Sequence, residues 1–176
     1  MKVINLFGAP SAGKSTLAAD LFAKMKYAGM SVELVTEFAK SLTWSRRGFD
    51  LMDQIYIFAK QNHSLERLRD SVQYVVTDSP LLLSLIYQSE HYYSKFPTLV
   101  KEVFDSYDNF NVFVKRVKPY NPVGRNQTEH ESNLIATQLW EMLHNSSYKF
   151  IQVTGDKLAA ETVMSFLTNP TMHEIL

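Results

Sequence analysis

The chain contains no cysteine among its 176 residues. Disulfide frameworks, thiolate catalysis and cysteine-bound zinc are excluded together, and a reducing, cytoplasmic setting fits. It also lacks an excess of either charge: 18 Lys and Arg stand against 18 Asp and Glu, for a formal net charge of zero. A basic coat for nucleic acid is thereby excluded, although a local basic patch is not. Long apolar runs are missing as well. The most apolar stretch, residues 81–87, is interrupted by Ser84, whereas a membrane span needs about twenty apolar residues. The short run at residues 3–7 leads directly into a glycine loop, so neither a signal peptide nor a membrane partner is expected. At 45% hydrophobic and 20% charged, residues 1–176 read as one globular domain with a sizeable core.

What is present is an alternation. Residues 2–7 are short, apolar and stopped by Gly8, the pattern of a buried strand. Residues 14–27 carry Leu17, Ala18, Leu21, Phe22 and Met25 on one helical stripe, which Gly29 ends. Further strands are expected at 31–36, 72–77, 111–115 and 150–153. Helices are expected at 50–69, 98–107, 129–144 and 157–167, with a short helical segment up to Leu42. In the 50–69 helix, Leu51, Ile55, Phe58, Leu65 and Leu68 mark the apolar face. Pro80 suits the first turn of a following helix. Strands alternating with helices imply a three-layer α/β fold, an open parallel sheet of five strands with helices on both faces. Such sheets bind ligands beyond the carboxyl ends of their strands. Gly8, Glu37, Asp78 and Arg116 all fall at or just past such ends.

Gly8, Ala9, Pro10, Ser11, Ala12, Gly13, Lys14 and Ser15 match G-x-x-x-x-G-K-[ST] in full. The motif sits between an expected strand and an expected helix, the context that gives it meaning as a phosphate loop. Its glycines let the backbone wrap a phosphate with amides pointing inward, and the helix N-terminus adds positive potential. Lys14 then reaches the terminal phosphates, Ser15 can ligate Mg²⁺, and Thr16 supports the loop or an inner phosphate. ATP with Mg²⁺ is the expected ligand.

Three classes share such loops. Motor ATPases usually follow the acidic strand end with a glutamate; here Asp78 is followed by Ser79 and Pro80. GTPases read guanine with N-K-x-D, which does not occur. A kinase remains, and two features favour it. Glu37, at the end of the second strand, can accept the proton of an attacking hydroxyl, with Asp78 as the alternative base. The loop at about 116–128 and the residue before it bring Lys115, Arg116, Lys118 and Arg125 without an acid through residue 125. Its prolines and glycine suit a lid, and Arg116 and Arg125 are candidates to stabilise the transferred phosphoryl group.

The order of these segments resembles a known group. The phosphate loop, Val35-Thr36-Glu37-Phe38-Ala39-Lys40, Asp53-Gln54, Gln61, Thr77-Asp78-Ser79-Pro80-Leu81-Leu82 and the Pro119-Tyr120…Gly124-Arg125 flap are similar to bacteriophage P-loop kinases. More distantly they resemble the ribosylnicotinamide kinase domain of NadR proteins and deoxynucleoside and thymidylate kinases. The resemblance covers nearly the whole chain. It implies a nucleoside-monophosphate-kinase-like sheet ordered 2-3-1-4-5, Glu37 near the acceptor, Asp78 near Mg²⁺, and Arg116 and Arg125 in the lid. It also implies a subgroup of phage enzymes that phosphorylate 5-hydroxymethyluracil within DNA, a step of DNA modification. Cellular deoxynucleoside kinases carry an arginine where this chain has Ser79, a departure from their pattern.

For the acceptor, the residues leave alternatives open. Gln54 and Gln61, seven apart, share a helix face and could read a base edge or simply face solvent. Trp44, Tyr56, Phe58 and Tyr87 could stack on a base or pack in the core. Arg46 and Arg47 could hold an acceptor phosphate or lie in a solvated turn. The five histidines show no metal-ligand spacing. The adenine is expected near Thr154-Gly155-Asp156. The reading is an ATP-dependent kinase acting on a hydroxyl of a nucleoside- or nucleotide-type acceptor. The alternatives are a modified base in phage DNA as acceptor, or a non-catalytic ATP-binding regulatory module.

Overall fold

The computed structural model describes residues 1–45 and 48–169. The chain runs β1 (Lys2–Phe7), α1 (Lys14–Tyr27), β2 (Val32–Val35), α2 (Phe38–Trp44), α3 (Gly48–Met52), α4 (Gln54–Glu66), β3 (Tyr74–Thr77), α5 (Leu83–Tyr87), α6 (Phe96–Asp105), β4 (Asp108–Lys115), α7 (Glu129–His144), β5 (Phe150–Thr154) and α8 (Ala159–Thr168). The five strands form one sheet in the order β2-β3-β1-β4-β5. Every neighbouring pair is parallel. This is the three-layer order expected above.

The central strand shows why both faces are covered. Ile4 and Leu6 pack into one cluster with Leu17, Leu21 and Met25 of α1 and Val163 of α8. Val3 and Phe7 pack into the other, with Phe58 of α4, Phe104 of α6, and Leu139 and Leu143 of α7. A strand with period-two side chains and helices above and below must be apolar at nearly every position. Buried Asn5 is the exception, and it is satisfied: its Nδ2 donates to Asn109 Oδ1 at 2.8 Å and Asn111 Oδ1 at 3.1 Å.

Three boundaries differ from the expectation for identifiable reasons. The helix expected at 50–69 is two helices, because the Asp53 carboxylate accepts the Tyr56 amide and starts α4 anew. That rotates the buried face to Gln54, Ile57, Phe58, Gln61 and Leu65, and leaves Ile55 exposed. Pro80 lies in a turn closed by Leu83 N–H to its carbonyl, so α5 begins three residues after it. The third is α6, which begins at Phe96 with Pro97 in its first turn. Among the described residues, no helix is long and apolar enough to cross a membrane.

Phe104 is 1% exposed, and its ring meets Phe7 and Tyr148 edge-on at 6.5 and 5.2 Å. Phe104→Ala is expected to cost about 3–5 kcal/mol in urea unfolding. A loss under about 1 kcal/mol would show that this cluster does not hold α6 to the sheet.

Candidate active site

The phosphate loop joins the end of β1 to α1. Ser11, a non-glycine residue, takes the left-handed conformation with φ 68°, and its Oγ accepts the Asn121 amide of the lid at 3.0 Å. From behind, Ser132 of α7, fully buried, donates to the Pro10 carbonyl at 2.8 Å. The turn after β5 closes the other side. A Cβ on Gly155 would stand 2.1 Å from the Ala12 carbonyl oxygen, and the Gly155 amide donates to the Lys115 carbonyl at 2.8 Å. Only a residue without a side chain lets that turn touch the loop.

Lys14 folds back on the loop, donating to the Gly8 and Ala9 carbonyls at 2.6 and 3.2 Å. Burial lowers its pKa, and the charges of Glu37 and Asp78 oppose that shift. Glu37 sits at the N-cap of α2. Burial raises its carboxyl pKa above the ordinary carboxylate value; Lys14 opposes this, while Asp78 adds to it. Asp78, 2% exposed, lies at the end of β3 and accepts the Glu37 amide on Oδ1 at 2.9 Å. A half-buried lysine and two carboxylates thus share one spot at the strand ends.

A single cavity of about 640 Å³ runs from Lys14 and Ser15 past Glu37 to Gln54, Gln61 and Tyr87. The lid, residues 116–128, crosses it. Asn121 meets Ser11 on one side, and Asn126 Nδ2 donates to Thr43 Oγ1 of α2 at 3.3 Å on the other. Gly124, at φ 71°, lies against the Trp44 ring, where an added Cβ would be 2.6 Å from Cζ2.

The two arginines separate. Arg125 lines the cavity, donating from Nη1 to the Asn121 and Val123 carbonyls at 2.8 Å each. Arg116 faces α7 instead, with Nη2 donating to Glu129 at 3.3 Å and to Asn133, and its guanidinium over the Tyr120 ring. Arg116 lies outside the cavity in this arrangement, held by the acid and amide on the first turns of α7. Gln54 and Gln61 share one helix face, as their spacing implies. Both line the cavity and are buried, but Gln61 bonds to Thr36, Phe38 and Thr77, and Gln54 to the Leu51 carbonyl. Of the four aromatics, Tyr87 alone lines the cavity. Phe58 is core against Phe96, Tyr56 meets Phe38 edge-on, and Trp44 packs on the lid. The Thr154–Asp156 turn abuts the phosphate loop without lining the cavity, Thr154 Oγ1 and Asp156 being bonded to each other. Arg46 and Arg47 lie outside the described residues.

Sequence reasoning missed Lys40, which lines the cavity and acts electrostatically on both Glu37 and Lys14. Its spacing of three from Glu37 at a helix start was the available signal. Ser132 had none, because its partner Pro10 is 122 residues away.

The sheet order and the glycine loop ending in Lys14 and Ser15 define a P-loop nucleotide-binding protein of nucleoside-monophosphate-kinase-like fold. More particularly, a family model described as an AAA domain matches residues 3–159, and the chain belongs to that family. No curated protein sequence matches it. Among solved structures, the chain is similar to deoxyadenosine kinase from M. mycoides with the products dCMP and a flexible dCDP bound. That match has TM-score 0.62 and 19% identity, covering 96% of this chain and 99% of that one. The same enzyme with bound dATP matches with TM-score 0.62 and 17% identity, over 94% of this chain and 99% of that one. The Cys556Ala mutant of the Mycobacterium tuberculosis APS kinase CysC matches with TM-score 0.52 and 17% identity, over 96% and 97%. At these identities the likeness is one of fold.

Gly155→Ala is expected to weaken ATP binding at least about tenfold by calorimetry, or about 1.4 kcal/mol, with circular dichroism unchanged. Unaltered affinity would show that the β5–α8 turn does not shape the loop.

Proposed function

We propose that the protein is an ATP-dependent kinase that transfers the γ-phosphoryl group to a hydroxyl of a nucleoside- or nucleotide-type acceptor. The observation that carries this reading is the continuity of the cavity: the phosphate loop, the Glu37 carboxylate and a side pocket walled by α3, α4 and α5 form one space. A hydrolase needs room for water beside the phosphates; a kinase needs room for a second substrate with a base between. The solved neighbours of the same fold are named as kinases, which supports the same choice.

In this reading the loop amides and Lys14 bind the phosphates, Lys14 leaving the Gly8 and Ala9 carbonyls to do so. Glu37 accepts the proton of the acceptor hydroxyl as its oxygen bonds to the γ-phosphorus and the bond to the ADP oxygen breaks. Asp78 serves less well as that base, because Oδ1 already accepts the Glu37 amide. Arg125 and Lys40 face the charge that spreads over the transferred oxygens. Arg116 supports the lid from outside. The adenine lies toward the Thr154–Asp156 turn.

The donor chemistry also suits Mg²⁺. Among the described residues no group of three or more His, Asp or Glu could hold a metal alone. The Ser15 hydroxyl and the Asp78 carboxylate are the hard oxygen donors that a cation arriving with phosphates and water needs. When bound, Mg²⁺ would neutralise phosphate charge.

The deciding experiment is transfer from γ-labelled ATP to nucleosides, nucleoside monophosphates, nicotinamide riboside, and DNA with and without 5-hydroxymethyluracil, alongside Lys14→Ala. Label on a small acceptor, lost in the variant, is expected. Label only on modified DNA would support the phage-type DNA-base kinase implied by the resemblance. No label despite tight ATP binding would overturn the kinase and favour a regulatory module.

The pH dependence follows from Glu37. A base must be ionised, so the raised value places the acid limb of kcat/KM above the ordinary carboxylate range. Activity should fall as pH drops through it. Glu37→Gln should remove about 10²–10⁴-fold of the rate. The stability sign is opposite. A carboxyl whose folded value is raised binds its proton more tightly in the native state, so this site favours folding as pH falls and opposes it at higher pH. Glu37→Gln should therefore raise the Tm at pH 8. A lowered Tm would show that Lys14 stabilises the charged carboxylate by more than burial costs.

A further inference from the structure

β2 ends at Val35 and α2 begins at Phe38. The Thr36 carbonyl and the Glu37 and Phe38 amides therefore fall where neither sheet nor helix supplies a partner. Each is met by a side chain from another element. Asp78 Oδ1 accepts the Glu37 amide at 2.9 Å. Gln61 Oε1 accepts the Phe38 amide at 3.1 Å, and Gln61 Nε2 donates to the Thr36 carbonyl at 3.4 Å. The same Nε2 donates to Thr77 Oγ1 at 3.3 Å, which also accepts the Ser79 amide at 3.2 Å. Gln61 is 3% exposed, and its bond to Thr77 is buried while those to Thr36 and Phe38 are partly so.

The pattern is specific to a carboxamide. A backbone N–H requires an acceptor and a backbone carbonyl a donor, and Gln61 presents both from one rigid plane. Its orientation follows, since exchanging oxygen and nitrogen would break both bonds. The partners bracket Glu37 on either side in sequence and reach the residue before Asp78. The one amide thus ties together the ends of the two strands that carry the carboxylates.

Resting on the kinase reading, we propose that Gln61 is a positioning residue, which fixes the Glu37 and Asp78 backbones relative to each other without touching the reacting atoms. It replaces the expected contact between this glutamine and a base, because both its donor and its acceptor groups are already engaged by the protein.

The test is Gln61→Leu, similar in size but without donor or acceptor. The positioning role predicts a fall in kcat on the order of 10²-fold, as for a displaced catalytic group. The acceptor KM and the MgATP dissociation constant should change less than about twofold. Hydrogen exchange of the Phe38 amide, resolved by NMR, should accelerate at least about tenfold, since its partner is gone. A raised acceptor KM with unchanged kcat would overturn the proposal and make Gln61 a substrate contact. Unchanged Phe38 exchange would overturn it from the structural side, and that measurement reads out even if no acceptor is found and the kinase reading itself fails. If Gln61→Leu does not fold, Thr77→Val severs the link to β3 while leaving the Thr36 and Phe38 bonds, and it also frees the Ser79 amide. A smaller drop in kcat at constant KM is then expected, and an unchanged kcat would overturn the tie between the two strands.

Discussion

Parallel strands that stop at one rim leave backbone groups without partners there, and the rest of this site is arranged around that constraint. At the end of β1 the Gly8 and Ala9 carbonyls receive Lys14, and the Pro10 carbonyl receives Ser132. Past β2 the amides of Glu37 and Phe38 go to Asp78 and Gln61. After β5 the Gly155 amide returns to the Lys115 carbonyl, where β4 ends. An unsatisfied buried group would cost about 1–3 kcal/mol. Two of the four side chains that satisfy these groups, Lys14 and Asp78, are also ones the proposed phosphoryl transfer uses, so stability and that chemistry draw in part on the same residues.

The electrostatics follow from that crowding. Lys14, Glu37 and Asp78 are brought together by backbone needs, and burial pushes the lysine toward its neutral form and Glu37 toward its protonated form. Each counters the other's shift. A triphosphate entering the cavity meets a lysine that must exchange carbonyl partners for phosphate, and a carboxylate that loses part of its countercharge as the lysine turns away. Preorganisation here lies in the framework around the charged groups more than in their resting contacts.

Much of this was legible in the sequence where the signal was local. The bounds of β1 and α1 follow from an apolar run and a stripe, and α7 has its expected bounds, its start closed in the structure by a Thr128–Glu131 capping box. The phosphate loop is a contiguous motif, and Glu37 and Asp78 stand where strands end. The break at Asp53 was not legible, because an acid within an apolar-periodic run reads equally as a surface position or as a cap, and Ile55 and Ile57 offer two competing faces. The partners of Gln61 are 16 to 25 residues away and mostly backbone, which no side-chain pattern announces. Arg116 and Arg125 share one loop and one charge. What sends them to opposite sides is Glu129 and Asn133 on the next helix.

The lid is anchored at Ser11 beside the phosphates and at Thr43 and Trp44 on α2. A strap fastened at both ends cannot lift over one compartment alone. Parting Asn121 from Ser11 would pull on the same segment that carries Arg125 and that seats Gly124 against the Trp44 ring. The two ends of the cavity are therefore roofed by one mechanical unit, whose opening at either end is felt at the other.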